Sequence, residues 1–381
     1  MEIQRFISMM KITSLIIHIL KPQEFSHEAT RINYPPALIR LQTDEGVEGI
    51  TMLEESIYAD DLVIKFKTLK GWLKTTKEFI PLIGADPLER EKIEDSFWSQ
   101  YFFQRSAPYT LCAIDECLWD IAGKYFNVPI YRLLGPAKEK LLAYASTQSY
   151  DDFKDYEKII EYCLDNGFKA IKLHTMRNWK KDIELCKLAK DLVGDQAILM
   201  LDPYHAYTRY EALIVGKVLE KLEFYLYEDP IPTTDIDGLV YLRHKLDVPI
   251  YAGETIHDLY TYAELIQRGA VDGLKCIDVN VGGITGMLKV AHLAEIFGLM
   301  CEPHSWGHPW QQAAHLHVML AIRNCQFFEM PVPIGILDYC NEDSIRLDKD
   351  GYVYCLSKPG LGIDPDWDEV EKRTIKKITV P

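Results

Sequence analysis

Beyond about residue 140 the chain repeats one pattern, in which a short apolar run precedes an amphipathic stretch. The stretches carry apolar residues at helical spacing, and many of them end in glycine, which is typical of a left-handed helix C-cap. Strands that alternate with helices predict a parallel sheet. The chain holds seven or eight such units, which favours a TIM-type barrel over an open sheet. The apolar runs include LLAYAS, AIKLH, AILMLD, FYLYEDP, IYAGET, GLKCID and LMCEPH.

The residues before this repeat predict a separate α+β domain. Residues 11–55 carry strand-like runs, and an acidic turn with glycine at 44–46 indicates a hairpin. Residues 59–135 carry apolar residues at helical spacing and few glycines. After about residue 340 the pattern is irregular strand and turn, and we expect this segment to return to the N-terminal domain. A chain of 381 residues suits about two domains of ordinary size.

Charge and composition exclude several classes of function. The formal net charge of −15 argues against a nucleic-acid partner, because phosphate neutralisation needs clustered Lys and Arg. No apolar run reaches the roughly 18 to 20 residues that span a membrane. The nine cysteines form no CxxC pair, and most lie in apolar runs. They predict buried free thiols in a cytoplasmic protein rather than disulfides.

The polar residues that end the apolar runs are the candidate functional residues, because chemistry in a TIM barrel lies at the C-terminal ends of the strands. Three of them, Asp202, Glu228 and Glu254, are carboxylates 26 residues apart, which is one βα unit each. This spacing places them side by side at the barrel mouth. Three carboxylates with open positions suit a hard cation such as Mg²⁺. The alternative is that each is a helix N-cap or a solvated loop residue.

The remaining strand ends supply candidate acids and bases. Lys172 and His174 are two residues apart on one strand, so both side chains point to the same face. A His can act as a base at neutral pH, whereas the alternative is a pair that bonds a neighbouring loop. Asp278 and His304 end the next two strands, and the carboxylate could orient the imidazole on the side opposite His174. The alternative is a structural His304. Glu329 could bond a substrate carboxylate if protonated, or form a structural salt bridge.

Taken together, these motifs resemble one family. The segments ALIRLQTDEGVEGI, AIDECLWDIAGKYFNVPIYRLLG, GFKAIKLH, LMLDPYHAYTRYEAL, YEDP, GE and VGGITGMLKVAHLAEIFGL…PH are similar to the mandelate racemase and muconate lactonizing enzyme group of the enolase superfamily. The resemblance extends from about residue 11 to 365. It implies a (β/α)7β barrel at 139–340, closed by an α+β capping domain at 1–138 that the C-terminal segment, 341–381, completes.

The resemblance also implies the chemistry. Asp202, Glu228 and Glu254 would bind Mg²⁺, and the Lys172–His174 and Asp278–His304 pairs would flank a small-molecule carboxylate. Proton abstraction next to that carboxylate would give an anion that Mg²⁺ and Lys172 stabilise. Members of the group are often homo-oligomers, so we expect the same of this chain.

This chain departs from the family pattern at three positions. His174 stands where the second Lys of a Lys-x-Lys motif is usual. Asp278 stands four residues before the glycine pair instead of five, and Ile277 occupies the expected position. The residue two after the first metal ligand is Tyr204 instead of Asn, which makes the next residue, His205, a further candidate acid.

Substrate specificity in the family comes from the capping domain. Two loops, at about 21–35 and 54–60, would reach over the barrel. The first carries His27 and Arg31, which could meet a hydroxyl or a carboxylate, or could lie on a solvated loop. Trp306 is a further candidate for substrate contact at a mouth that is rich in His, Tyr and Trp.

These observations leave three hypotheses for function. The first is an acid-sugar dehydratase, in which loss of a β-hydroxyl follows proton abstraction and gives a 2-keto-3-deoxy acid. The second is a racemase, an epimerase or a lactone cycloisomerase, for which bases on two faces of one carbon would serve. The third is a protein that binds a metal and a sugar acid without catalysis.

Overall fold

Two sheets organise this computed structural model, which describes residues 9–23, 35–54, 82–101 and 107–381. The smaller sheet is antiparallel in the order β13-β1-β2-β3. The predicted hairpin is confirmed, since β2 and β3 pair antiparallel across the turn at 44–47. β13 pairs with β1, so the C-terminal strand returns to the N-terminal sheet as predicted. The strands are β1 (Ile12–Leu20), β2 (Ala37–Thr43), β3 (Glu48–Leu53) and β13 (Thr374–Val380).

The larger sheet contains eight parallel strands that follow one another in chain order. The last of them, β11, pairs with the first, β4, so the sheet curls around a centre. The short strand β12 (Tyr352–Tyr354) joins β4 antiparallel. The C-terminal segment therefore touches both sheets, and the exact domain bounds stay a prediction. The parallel strands are β4 (Lys140–Ser146), β5 (Ala170–His174), β6 (Ile198–Asp202), β7 (Leu226–Glu228), β8 (Ile250–Ala252), β9 (Gly273–Leu274), β10 (Met300–Cys301) and β11 (Phe327–Pro331).

Helices connect the strands of the larger sheet. Several begin at a side-chain cap, and Thr208 and Glu211 form a reciprocal capping box at the start of α6. Within the described ranges no helix is both long and apolar enough to cross a membrane. The helices are α1 (Arg90–Tyr101), α2 (Ala107–Phe126), α3 (Ile130–Leu134), α4 (Phe153–Asp165), α5 (Trp179–Val193), α6 (Arg209–Lys221), α7 (Ile236–Lys245), α8 (Leu259–Gln267), α9 (Asp278–Val281), α10 (Gly283–Ile296), α11 (Pro309–Ala321) and α12 (Trp367–Arg373).

The interior of the curled sheet is filled at one end only. Side chains on a strand alternate, so residues two apart share a face. Tyr144, Ala170, Met200, Leu226 and Phe327 form a buried apolar cluster, and each stands two residues before a polar residue near its strand's C-terminal end. The apolar layer closes the bottom of the sheet and leaves the polar layer above it.

Buried carboxylates of helix α2 connect the antiparallel sheet to the part of the chain that contains the parallel sheet. Asp115 accepts hydrogen bonds from the backbone N–H and the hydroxyl of Thr285 in α10. Gly283 at the start of α10 has a φ of 89°, and a Cβ there would lie 2.5 Å from Asp115 Oδ2. Asp120 accepts from the N–H groups of Ile50 and Leu361. These bonds fix the antiparallel sheet against the parallel one, which brings Glu54, just after β3, to the cavity described below.

The prediction for the cysteines is confirmed. All nine are free thiols, eight of them buried and Cys355 partly buried.

Candidate active site

Three carboxylates meet at the C-terminal ends of neighbouring strands. Asp202 and Glu228 are the last residues of β6 and β7, and Glu254 lies two residues beyond β8. One oxygen from each lies within 4.8 Å of the others, and all three side chains are buried. Glu228 Oε1 has no hydrogen-bond partner among the described residues. Burial, together with the charges of Asp202 and its neighbours, raises the pKa of Glu254 well above its usual range. This set of hard oxygen donors fits a divalent cation such as Mg²⁺.

Lys172 lies at the centre of this charge cluster. Its Nζ is 2.8 Å from Glu228 Oε2, 2.8 Å from Glu329 Oε1 and 3.3 Å from Asp202 Oδ2. Burial by itself lowers the pKa of a lysine, but the carboxylates of Glu228 and Glu329 outweigh it and raise the pKa of Lys172 well above normal. Lys172 is therefore a fixed cation beside the three carboxylates.

A second buried lysine, Lys275, was not predicted. It directly follows β9, and its Nζ donates a hydrogen bond of 2.8 Å to the hydroxyl of Tyr144. The same Nζ lies 3.7 Å from Glu228 Oε2 and 3.6 Å from Glu329 Oε2. The signal in the sequence was a charged residue inside the apolar run GLKCID, on a strand buried on both faces. With Lys275, two ammonium groups lie among the carboxylates at the top of the sheet, which outnumber them, and a divalent cation would offset part of the excess negative charge.

Glu329 holds the two lysines in place. Its Oε1 accepts a 2.8 Å hydrogen bond from Ser146 Oγ, and its Oε2 accepts one of 3.1 Å from the Ser305 N–H. Burial would raise the pKa of this carboxyl, but Lys172 and Lys275 together hold it well below its usual range. An ionised Glu329 favours the structural salt bridge over the protonated group that bonds a substrate.

His174 has the geometry of a base. Its Nδ1 lies 2.6 Å from the carbonyl oxygen of Thr147. A carbonyl only accepts, so Nδ1 carries a hydrogen and Nε2 is the atom that exchanges a proton. Nε2 lies 3.2 Å from Asp202 Oδ2, at the edge of the three carboxylates. Trp306 packs its ring edge-on against the imidazole, with 5.5 Å between ring centroids.

His304 lies beside Glu254, with its Nε2 3.5 Å from Glu254 Oε2. Its Nδ1 is buried and has no hydrogen-bond partner in the part of the chain that the structure describes. The predicted Asp278–His304 pair is therefore wrong. Asp278 Oδ1 instead lies 3.2 Å from His315 Nε2 and accepts a 2.6 Å bond from Gln311.

The physical reason is a shift of one residue. Successive residues of an extended chain point to opposite sides. Ile277, extended at a φ of −122°, lines the cavity, so Asp278 faces the other way, at the first position of α9. The side chain that would face His304 is thus an isoleucine. Burial lowers the pKa of His304 to about 4, which keeps the imidazole neutral at neutral pH.

A cavity of about 800 Å³ opens above the three carboxylates, and a second of about 350 Å³ adjoins it. Glu54, Tyr204, Glu254 and His304 line both of them. The first is also lined by His174, Trp306 and a group of residues from the loops after β4 and β5, which are Thr147, Gln148, Ser149, Tyr150, Asp151, Thr175, Met176 and Arg177.

Comparison with known proteins agrees with this geometry. The sequence model described as "Enolase C-terminal domain-like" matches residues 155–370. The model of the "Mandelate racemase / muconate lactonizing enzyme, N-terminal domain" matches residues 16–135. The chain belongs to the mandelate racemase/muconate lactonizing enzyme family of the enolase superfamily.

Relatives and solved structures of this family resemble the chain over most of its length. An arabinonate dehydratase of Saccharolobus solfataricus is 34% identical over 257 residues, which is 66% of this chain and 68% of that protein. A D-galactarolactone cycloisomerase of Agrobacterium fabrum is 28% identical and aligns with 82% of this chain and 83% of its own length. The crystal structure of D-glucarate dehydratase from Agrobacterium tumefaciens, complexed with magnesium, has a TM-score of 0.82 at 28% identity over 97% of this chain and 100% of that one. The protein is thus an enzyme of the lyase or isomerase type.

The structure brings together most of the predicted residues of this family member. Lys172, His174, Glu329 and the three carboxylates meet at the strand ends, and Trp306 lines the cavity. His205 is not among the residues that line the two cavities, but one of its ring nitrogens lies within 4.8 Å of carboxylate oxygens of Asp229 and Glu254, so its role as an acid stays a prediction. Its Nδ1 lies 3.3 Å from the Ile231 carbonyl oxygen and 3.8 Å from Asp229 Oδ1. His27 and Arg31 lie outside the described residues, so their role stays a prediction.

Tyr204, the residue before His205, lines both cavities. Both residues have left-handed backbone conformations, with φ of 49° and 60°. The Tyr204 N–H donates a 2.8 Å hydrogen bond to Asp202 Oδ1, which ties this turn to the first carboxylate. The turn places the phenol at the cavity, and the half-exposed ring lines both of its parts.

Proposed function

We propose that the protein is a magnesium-dependent acid-sugar dehydratase. It removes the proton next to a carboxylate and then the hydroxyl group of the adjacent carbon, which gives a 2-keto-3-deoxy acid. The relatives that are named dehydratases support the reaction class. The arrangement of acids and bases around the three carboxylates supports dehydration over the other reactions of the family.

The metal assignment rests on the donor set. Asp202, Glu228 and Glu254 would hold Mg²⁺, and the excess of carboxylates over ammonium groups fits a divalent ion. A bound divalent cation would polarise the substrate carboxylate and stabilise negative charge on it.

His174 takes the proton next to the carboxylate. The Thr147 carbonyl fixes the hydrogen on Nδ1, so Nε2 is the accepting atom. Lys172 stabilises the negative charge that develops on the substrate carboxylate, because its ammonium group is already held in place by Glu228 and Glu329.

Tyr204 supplies the proton that the leaving hydroxyl needs. Burial raises the pKa of its phenol above the usual value, so the phenol carries its proton at neutral pH. It lines the same cavity as His174. The imidazolium of His174 then releases its proton to water in the cavity, and water returns a proton to the phenolate. The enol that is left takes up a proton at the carbon that lost its hydroxyl and loses its own hydroxyl proton, which gives the keto acid.

The observation that carries dehydration over racemisation is the isolated His304. A racemase of this kind needs one base on each face of the carbon. His304 lies across the three carboxylates from His174, beside Glu254 instead of Asp202, but in the part of the chain that the structure describes no carboxylate bonds its Nδ1. An imidazole without that partner is a poor second base.

An isomerase is the second candidate, since His304 does line the cavity. The test is a library of mono- and dicarboxylic sugar acids, incubated in D₂O with Mg²⁺ and followed by keto-acid detection and proton NMR. Keto acid from at least one compound is expected. Deuterium incorporation without keto acid would favour the isomerase, and no exchange with any acid would favour a non-catalytic binding protein. His244→Gln, at an exposed histidine of α7, controls for general effects of histidine replacement.

A further inference from the structure

Arg177 stands out among the residues that line the cavity. It lies three residues after His174, between β5 and the N-cap of α5 at Asn178. Its side chain is exposed, and none of the ion pairs found within the described ranges includes it. Among the described residues that line the two cavities it is the one Lys or Arg.

The backbone holds Arg177 at the cavity. Its φ of 57° is left-handed, which is uncommon for a residue with a side chain, and its N–H donates a hydrogen bond to Thr175 Oγ1 at 3.2 Å. Its guanidinium carbon lies 5.7 Å from the centre of the Tyr204 ring. The strands that precede these two residues are neighbours, since His174 pairs with Asp202. Two left-handed turns on adjacent loops thus bring a guanidinium and a phenol together.

The other charged residues that line the cavity are acidic. Glu54 and Asp151 are two of them, and Glu254 would be a metal ligand, so among the described lining residues Arg177 is the one positive partner for an anionic group away from the metal. In a monocarboxylic sugar acid the one charged group is used at the metal end. The hydroxyl groups of such a compound suit the acidic wall but give a guanidinium no counter-ion.

Resting on the proposed function, we infer that Arg177 binds a second anionic group at the far end of the substrate. The substrate is then a sugar acid charged at both ends. A guanidinium offers a planar pair of donors that fits a carboxylate or a phosphate oxygen pair. A carboxylate and a phosphate both offer such an oxygen pair. The substrate is therefore either a dicarboxylic sugar acid or a monocarboxylic sugar acid with a terminal phosphate. A cavity of about 800 Å³ is of the size that encloses a small organic ligand.

The kinetic test compares six-carbon sugar acids of the same configuration, in three forms: dicarboxylic, monocarboxylic, and monocarboxylic with a terminal phosphate. With Mg²⁺ we expect the wild type to prefer a doubly charged form. Arg177→Gln should raise KM for that form by about 10- to 100-fold, as for loss of one charged hydrogen-bonded pair, and leave the monocarboxylic form unchanged. Arg177→Lys should recover part of the loss. Lys180→Gln, at an exposed lysine of the same segment outside the cavity lining, should change nothing.

A binding measurement separates this inference from the proposed function. Titration of Mg²⁺-loaded enzyme with adipate and with hexanoate needs no turnover. Tighter binding of adipate by the wild type, lost in Arg177→Gln, supports the anion site even if no sugar acid gives a keto acid. Equal binding of the two compounds, or a monocarboxylic acid that is the best substrate of both wild type and Arg177→Gln, would overturn the inference while the dehydratase assignment stands.

Discussion

Two groups of residues in the site differ in how their side chains are held. The first group, here called the floor, comprises Lys172, Asp202, Glu228, Glu254, Lys275 and Glu329. The second group, here called the mouth, comprises Arg177, Tyr204 and Trp306. The floor groups are buried, and most have two or more charged or hydrogen-bonding partners within 4 Å. The mouth groups are more exposed, and loop turns and ring contacts place them. We propose that the closely bonded floor serves any substrate of the family, whereas the mouth selects among substrates.

Removal of one floor carboxylate should have the largest effect. Asp202→Asn replaces a charged ligand by a neutral one, so we expect Mn²⁺ affinity to fall by at least about 100-fold, more than for loss of a partner that only supports a ligand. Turnover should fall by about 1,000-fold or more. Mn²⁺ titration followed by electron paramagnetic resonance measures the first quantity. Asp195→Asn, at an exposed loop position, is the control, and unchanged Mn²⁺ affinity in Asp202→Asn would remove the metal assignment.

Replacement of His174 and of His304 should have unequal effects on exchange of the substrate α-proton, because the two rings have different hydrogen-bond partners. His174→Gln removes the oriented base and should lower exchange of the substrate α-proton by about 100- to 10,000-fold. His304→Gln should lower it far less, because no carboxylate of the described residues bonds the Nδ1 of that ring. Proton NMR in D₂O gives both rates. Equal losses of the exchange rate in the two variants would show that His304 is an effective base without a carboxylate at its Nδ1, and would contradict the assignment of His174 as the one base.

Replacement of the mouth phenol should separate two steps of the reaction. Tyr204→Phe keeps the ring beside Arg177 but removes the proton donor, so formation of keto acid should fall by about 100-fold or more. Exchange of the α-proton should continue at nearly the wild-type rate, because His174 is untouched. A parallel loss of both activities would instead assign Tyr204 to the first step or to substrate binding.

The smallest expected effect concerns His317, which lies outside the floor and the mouth, and the pH dependence of the free energy of unfolding. The ring of His317 lies between the Tyr131 N–H and the Leu361 carbonyl, at 3.2 Å from each, so it is bonded in its neutral form. Burial lowers its pKa to about 4 from the ordinary 6.5. The unfolded chain therefore binds more protons between these values, and the free energy of unfolding should decrease as the pH falls from about 6.5 to 4, by up to about 3 kcal/mol from this residue.

Denaturant unfolding across that pH range measures this contribution. His317→Gln should show a shallower decrease than the wild type, whereas His292→Gln, at an exposed histidine of α10, should show the same decrease. A variant at position 317 that follows the wild-type curve would show that folding does not lower the pKa of His317, and it would contradict this prediction.

The sequence predicted the floor better than the mouth, for a physical reason. Strand side chains alternate, so the residue that ends each apolar run points reliably into the barrel, and this rule found Lys172, Asp202 and Glu228. It failed at β9, which has only two residues and is followed four residues later by a short helix. There Lys275 went unnoticed inside an apolar run, and Asp278 was placed on the wrong side.

The mouth depends on backbone turns that residue types do not reveal. Arg177, Tyr204 and His205 are all left-handed, although none of them is a residue that favours this region as glycine does. A pattern of apolar and polar residues does not contain that information. The sequence showed Tyr204 as a departure from the family pattern and indicated the next residue, His205, as a further candidate acid.

In the proposed mechanism His174 is the one effective base. The most direct test is exchange of the α-proton in D₂O with two sugar acids that differ only in configuration at that carbon, followed by proton NMR on the Mg²⁺-loaded enzyme. One base predicts that only one of the two compounds exchanges and that neither converts into the other. Exchange of both compounds at similar rates, with conversion between them, would contradict the account and make the protein an epimerase with His304 as its second base.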